Sequence, residues 1–83
     1  MDSFQHFLDQ VGRGEYQLTL HGKQRMSERR ISHKDIRHCA QHGLLFIQRD
    51  QKIRIVGPDL DGETLSLICI DEADSKILII TVF

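Results

Sequence analysis

Apolar residues recur at helical spacing in the first half of the chain and at alternate positions in the second. Phe4, Phe7, Leu8 and Val11 form one stripe, which predicts a leading helix within residues 1–14. Asp2 or Ser3 is placed to cap it, with Gln5 answering Asp2 as a capping box, and Gly12 and Gly14 end it. His6 lies off the stripe and reads as a surface residue. Residues 16–20 read as a short extended lead-in. Thr19 is then the N-cap of a second helix carrying His21, Arg25 and Arg29. Ser32 and Asp35 have the spacing of a second capping box. It starts a third helix with Ile36, Cys39 and Ala40 on its buried stripe and Gly43 as its stop.

From residue 44 the period drops to two. Residues 44–49 and 52–57 predict two strands around a tight hairpin at Asp50-Gln51. Residues 58–62, Pro-Asp-Leu-Asp-Gly, predict a turn. Residues 63–70 and 76–83 predict two more strands, joined by a polar loop over 71–75. The run Ile77-Leu-Ile-Ile80 is apolar on both faces, which places the last strand inside the sheet. Helices followed by four strands with hairpin-length connections predict an α+β fold, with N-terminal helices packed on one face of a four-stranded antiparallel sheet. The other face is left free to meet a partner. Residues 1–83 read as a single domain: the leading helix in 1–14, two motif helices in 17–43 and the sheet in 44–83. A chain of 83 residues has room for one modest core and a shallow substrate groove.

Charge adds a direction to this picture. The net charge of −1 excludes a highly basic tail protein. Between His21 and His42, however, six Lys/Arg stand against two Asp/Glu, with four His, whereas residues 44–83 hold four Lys/Arg against seven Asp/Glu. The anion-facing surface is expected in the middle helical region. Cys39 and Cys69 have no paired spacing, which excludes a disulfide framework and fits a reducing compartment. The first ten residues lack a basic flank followed by an apolar run, so no signal peptide is expected. The apolar segment 76–83 is far shorter than the ~20 residues of a membrane helix. The expectation is a cytoplasmic protein with no membrane association.

Residues three and four apart share a helix face, so His21, Arg25, Glu28 and Arg29 project within one arc of roughly 100°. An imidazole beside guanidinium groups suits work on a phosphodiester: His21 as general acid or base, Arg25 and Arg29 on the phosphate, and Glu28 as a second base. RNA supplies its own nucleophile in the 2′-hydroxyl, so such a site needs no metal and no cofactor. Lys23, Arg54 and Thr81 are candidate substrate-binding residues around it. The competing structural reading pairs Arg25 with Glu28 at i, i+3 and Arg29 with Asp59 or Asp61, leaving a solvated helix face. His38 and His42 have metal-capable i, i+4 spacing, but Cys39 and His33 fall on other faces, and no metal site is expected. Cys39 and Cys69 read as small core residues, and Lys34 and Arg37 as a solvated face.

The run Thr19-Leu-His21-x3-Arg25-Met26-x-Glu28-Arg29-x-Ile31-Ser32-x2-Asp35-Ile36, then Gly43, then Val56-Gly57-Pro-Asp-Leu-Asp-Gly62 and the closing Ile80-Thr-Val-Phe83, resembles a small bacterial family catalogued as domain of unknown function 4258. The resemblance covers residues ~17–83. That family is similar to a branch of the RelE-like toxins within the barnase-, colicin- and RelE-type ribonucleases. The resemblance implies helices on a four-stranded antiparallel sheet. It also implies a toxin of a toxin–antitoxin or polymorphic-toxin system that cleaves RNA, free or on the ribosome, without metal. The partners implied are RNA and a cognate antitoxin protein. Matched residue by residue, the motif falls on His21, Arg25, Glu28 and Arg29. RelE-like nucleases are usually strongly basic, and members often carry an aromatic hydroxyl where this chain has Phe83. Gly22 stands where Ala is common, a loss of helix propensity of up to ~1 kcal/mol.

Two other function classes fit the same residues. A non-catalytic binding module would hold a protein or nucleic acid on the open sheet face or the basic helix. An adaptor would pair through an exposed strand edge.

Overall fold

In the computed structural model, which describes residues 3–74 and 76–83, the chain runs α1 (Ser3–Gly12), β1 (Gln17–Leu18), α2 (Leu20–Arg29), α3 (His33–His42), β2 (Leu44–Ile47), β3 (Lys52–Pro58), β4 (Thr64–Glu72) and β5 (Lys76–Val82). The strands form one sheet in the order β1-β5-β4-β3-β2. β1 lies parallel to β5, and every other pairing is antiparallel. The fold is α+β as expected, but the sheet is five-stranded and mixed, not four-stranded and antiparallel. The extra strand is the extended lead-in, where Gln17 pairs with Leu78 and Leu18 with Ile79. Two residues carry no readable alternation, and their pairing comes from a segment some sixty positions away, so local pattern does not reveal it.

α1 and α3 cover one face of the sheet. Phe7, Val11, Ile36, Cys39 and Ala40 meet Ile55, Leu65, Leu67, Cys69, Ile77, Ile79 and Val82 in one core. Phe4 departs from its expected stripe and stays 55% exposed, while the polar Gln10 is buried and donates to the Glu15 carbonyl. The expected cap at Asp2, and the side chain of Ser3, lie outside the described residues; Gln5 donates to Asp9 within the helix. α1 ends through Gly14 at φ +86°, and Gln41 of α3 donates to the Gly12 carbonyl at 2.8 Å.

α3 begins at the expected capping box. Asp35 N–H donates to Ser32 Oγ, and Asp35 Oδ2 accepts from Ser32 N–H at 2.9 Å. Its other oxygen accepts from Leu60 N–H, tying the helix start to the β3–β4 turn. At its far end Gly43 is extended, not left-handed. A Cβ there would collide with the carbonyls of Cys39 and Val56, and one at Gly57 with the Cys39 carbonyl, so both glycines serve close approach of helix end to strand. β2 and β3 join through a two-residue turn at Asp50-Gln51, with both residues at positive φ and Lys52 N–H bonded to the Arg49 carbonyl. That is the primed turn whose twist suits a hairpin. The last strand lies inside the sheet, between β1 and β4. No helix among the described residues is long and apolar enough to cross a membrane.

Candidate functional site

Among the described residues, α1 and α3 pack on one sheet face, and neither covers the second. Phe46, Arg54, Ile68 and Thr81 are directly paired across β2, β3, β4 and β5, so they form one row on that face. At adjacent-strand spacings of about 4.8 Å, the Arg54 and Thr81 backbones lie about 10 Å apart. Beyond Thr81, the edge of β5 is occupied by α2.

One residue stitches α2 to that edge. Thr19 N–H donates to the Ile79 carbonyl, and its hydroxyl donates to the Ile80 carbonyl at 2.7 Å. The same oxygen accepts from Gly22 N–H at 2.9 Å, as the N-cap of α2. A Cβ on Gly22 would stand 3.1 Å from the Ile79 carbonyl oxygen and 3.3 Å from that of Ile80. The glycine thus trades helix propensity for contact between the first turn and the strand backbone. The helix ends on Arg30, a non-glycine residue at φ 56°, whose N–H bonds the Met26 and Ser27 carbonyls.

Gly22 and Met26 form the buried stripe of α2, and its two flanks diverge from there. Lys23 lines a recess with Met26, Tyr16, Leu18 and His33, so that flank turns toward the helical layer. At ~100° per residue, His21, Arg25 and Arg29 lie on the side of the helix away from Lys23. The structure therefore groups His21, Arg25, Glu28 and Arg29 as the helical arc requires, and it places Lys23 apart from them.

His21, Glu28 and Arg29 are exposed. His21 makes no hydrogen bond among the described residues, and its ring is open to a ligand. Arg25 is half-buried. Its Nη1 stands 3.9 Å from Glu28 Oε1, a long contact, and its Nε is buried with no acceptor among the described residues. The expected Arg25–Glu28 pairing therefore exists, but it leaves the guanidinium incompletely satisfied. No described contact joins Arg29 to the β3–β4 turn, where Asp59 Oδ1 accepts from Asp61 N–H and Glu63 N–H at 2.9 Å each.

Arg54 repeats this condition on the sheet. Its Nη2 donates to Ser66 Oγ at 3.2 Å, and its Cζ stands 5.3 Å from the centroid of the Phe83 ring. Its Nε is again buried without an acceptor among the described residues. Phe83 is held in place by paired backbone bonds with Ser66 at 2.7 and 2.9 Å. The Phe83 ring thus carries a cation–π contact to Arg54. A shallow groove of about 510 Å³, lined by Phe46, Ile47, Gln48, Arg54 and Val56, opens beside it. Sequence reasoning named Arg54 and Thr81 and noted Phe83 without a partner, but missed Ser66 and Phe46. The signal for Ser66 was present: it is the lone hydroxyl in the run Leu65-Ser-Leu-Ile-Cys-Ile70, on the face opposite Leu65 and Leu67.

The remaining reactive side chains are engaged in structure. Burial pushes both the Cys39 and Cys69 thiols up to about 12, so neither is a thiolate at neutral pH. Cys39 Sγ donates to the Leu65 carbonyl. The His38 and His42 rings lie tilted at 48° with centroids 4.5 Å apart, and His38 Nδ1 lies 3.1 Å from the Pro58 carbonyl. Among the described residues, no three His, Cys, Asp or Glu side chains gather as metal ligands.

A family model described as Domain of unknown function (DUF4258) matches residues 18–83, from the end of β1 through the whole motif and sheet. The chain belongs to this family. Comparisons with curated proteins and with solved structures return no match.

Proposed function

We propose, from this membership and the geometry above, that the chain is a RelE-like, toxin-type ribonuclease that binds RNA on its open sheet face and the adjoining flank of α2, and cleaves it without a metal. The observation that carries the reading is the pair of half-satisfied guanidinium groups, Arg25 and Arg54. Each has a desolvated Nε–H and no full carboxylate partner. A buried N–H of a cation calls for an acceptor, and a phosphodiester offers charge and two oxygens to a guanidinium fork. Arg54 and Arg25 hold the phosphate, with Arg29 and Thr81 at its margin. His21, exposed on the same flank, takes the proton from the 2′-hydroxyl. The 2′-oxygen bonds to phosphorus, the P–O5′ bond breaks, and the departing oxygen is protonated by water. Glu28 is the second base on the same arc. The cytoplasm is the compartment in which such a nuclease meets its RNA.

The test is controlled expression in bacteria with mapping of RNA 5′ ends, comparing the natural chain with His21→Ala at equal accumulation. New ends in the natural chain, reduced about 10²- to 10⁴-fold in the variant, are the expected result. Equal cleavage by a folded His21→Ala protein would remove His21 from the mechanism.

A second reading rests on the edge strand that borders this face. Leu44, Phe46 and Ile47 on the edge strand β2 are 67%, 47% and 60% exposed, an apolar surface fit for a protein partner such as an antitoxin. A binding module of this kind would lose affinity in steps across several residues, with no single decisive change at His21. If nucleic acid is its partner, affinity falls steeply with salt.

A further inference from the structure

A recess separate from the His21 flank lies between β1, α2 and the start of α3, with a volume of about 640 Å³ and a lining of Tyr16, Gln17, Leu18, Lys23, Met26 and His33. Its floor is apolar, from Leu18 and the buried Met26. Its wall is a preset polar pair: the Tyr16 hydroxyl stands 2.7 Å from His33 Nδ1, and the two rings stack with centroids 5.9 Å apart. When the phenol donates to Nδ1, the imidazole proton sits on Nε2 as a free donor. Lys23 has no ion pair among the described residues, and the charge of Arg37 reaches the Tyr16 hydroxyl from α3. No carboxylate lines the recess, and the nearby Glu15 is engaged by Arg13 at 3.0 Å. An apolar floor with an unopposed cationic rim matches a ligand with a flat ring and a phosphate, and the volume is in the range of small-ligand sites.

We propose that this recess binds a nucleoside monophosphate, either free or as the end nucleotide of an RNA strand. Leu18, Met26 and the Tyr16 ring take the base, and Lys23 with His33 Nε2–H takes the phosphate. The inference stands apart from the cleavage reading, because it concerns the other flank of α2 and needs no chemistry.

The test is a titration of ¹⁵N-labelled protein with uridine monophosphate, with uridine as the control lacking phosphate. Saturable shifts at the amides of Leu18, Lys23 and His33, with uridine at least about tenfold weaker, are expected. Lys23→Ala, an exposed change that spares the core, weakens uridine monophosphate about tenfold. Tyr16→Phe, which unties His33, weakens it as well. The source is read by adding a uridine trinucleotide to His21→Ala protein. Competition with the mononucleotide identifies a strand end, and binding of the mononucleotide alone identifies a free nucleotide; both sustain the site. Absence of saturable shifts, equal binding of uridine, or binding lost in Arg54→Ala but kept in Lys23→Ala would overturn it. Because binding and not cleavage is read, this outcome is separable from the fate of the ribonuclease reading.

Discussion

Arg54 and Ile55 are neighbours on one strand and face opposite worlds. Ile55 is fully buried under α3, in a face where apolar groups fill the space and the two thiols are un-ionised. Arg54 looks the other way, onto a face that keeps a cation partly desolvated and one donor without an acceptor. A surface selected only for solubility would hydrate that guanidinium fully, and one selected only for stability would replace it with an apolar residue. The two faces of the sheet thus differ in kind: one holds the core, and the other keeps a partly desolvated cation with an unpaired donor.

The largest effects should come from breaking the covered face. Gly57→Ala pushes a methyl group into the Cys39 carbonyl, backbone against backbone, where no rotamer change relieves it. A loss of about 3 kcal/mol or more is expected, and Ile55→Ala should lose about 2–5 kcal/mol. Denaturant unfolding of both reads the effect directly. A small change in either would mean that helix and strand are less tightly docked than the structure shows.

The uncovered face should answer in the opposite sense. Arg54→Met removes the charge and the orphaned donor while keeping a long side chain over Phe83. RNA cleavage should fall on the order of 10²-fold, with thermal stability unchanged or raised. A parallel loss of stability and activity would mean that Arg54 is a strut and not a ligand-binding group.

What the sequence revealed follows the range of the interactions involved. The capping box at Ser32 and Asp35, the Thr19 cap and the Asp50-Gln51 hairpin are contacts within four residues, and all were readable. β1 reads in the sequence as a lead-in, because its strand character exists only through β5. Gly43 ends α3 as its position predicts, but the reason for glycine there, the close carbonyls of Cys39 and Val56, is not local and is not legible in the sequence. In the candidate site, the arc of His21, Arg25, Glu28 and Arg29 was a matter of helical period and was legible. The divergence of Lys23 from His21 also follows from helical period, whereas the Arg54–Ser66 and Arg54–Phe83 contacts and the Tyr16–His33 pair join separate elements, and residue spacing does not show which residues meet.

An intermediate effect belongs to the helical layer. Leu60 N–H, then Ser32, hold the Asp35 carboxyl below the ordinary carboxylate range. The folded chain therefore favours the ionised form, and the contribution is complete above about pH 4 and is lost as pH falls through the lowered value. Asp35→Asn should cost about 1 kcal/mol at neutral pH. The gap in melting temperature between the two proteins should narrow on acidification below about pH 4. A gap independent of pH would mean that the bonds do not depend on the charge.

The smallest effects sharpen the comparison most finely, because they contrast strain with and without a function to serve. Arg30 and Gln51 both hold left-handed backbone, at φ 56° and 64°. An L side chain there costs about 1–2 kcal/mol, and glycine relieves it while adding freedom to the unfolded chain. Gln51→Gly, in a hairpin turn remote from α2, should gain about 0.5–1 kcal/mol with no change in RNA cleavage or nucleotide binding. Arg30→Gly should gain a similar amount, since it keeps the backbone bonds to Met26 and Ser27 that end α2. Its side chain, however, leaves the basic end of the helix that carries His21, Arg25 and Arg29. If that strain is retained for work on an anion, Arg30→Gly gains stability and loses activity, whereas Gln51→Gly gains stability alone. Identical behaviour of the two variants would assign Arg30 to the turn and not to the site.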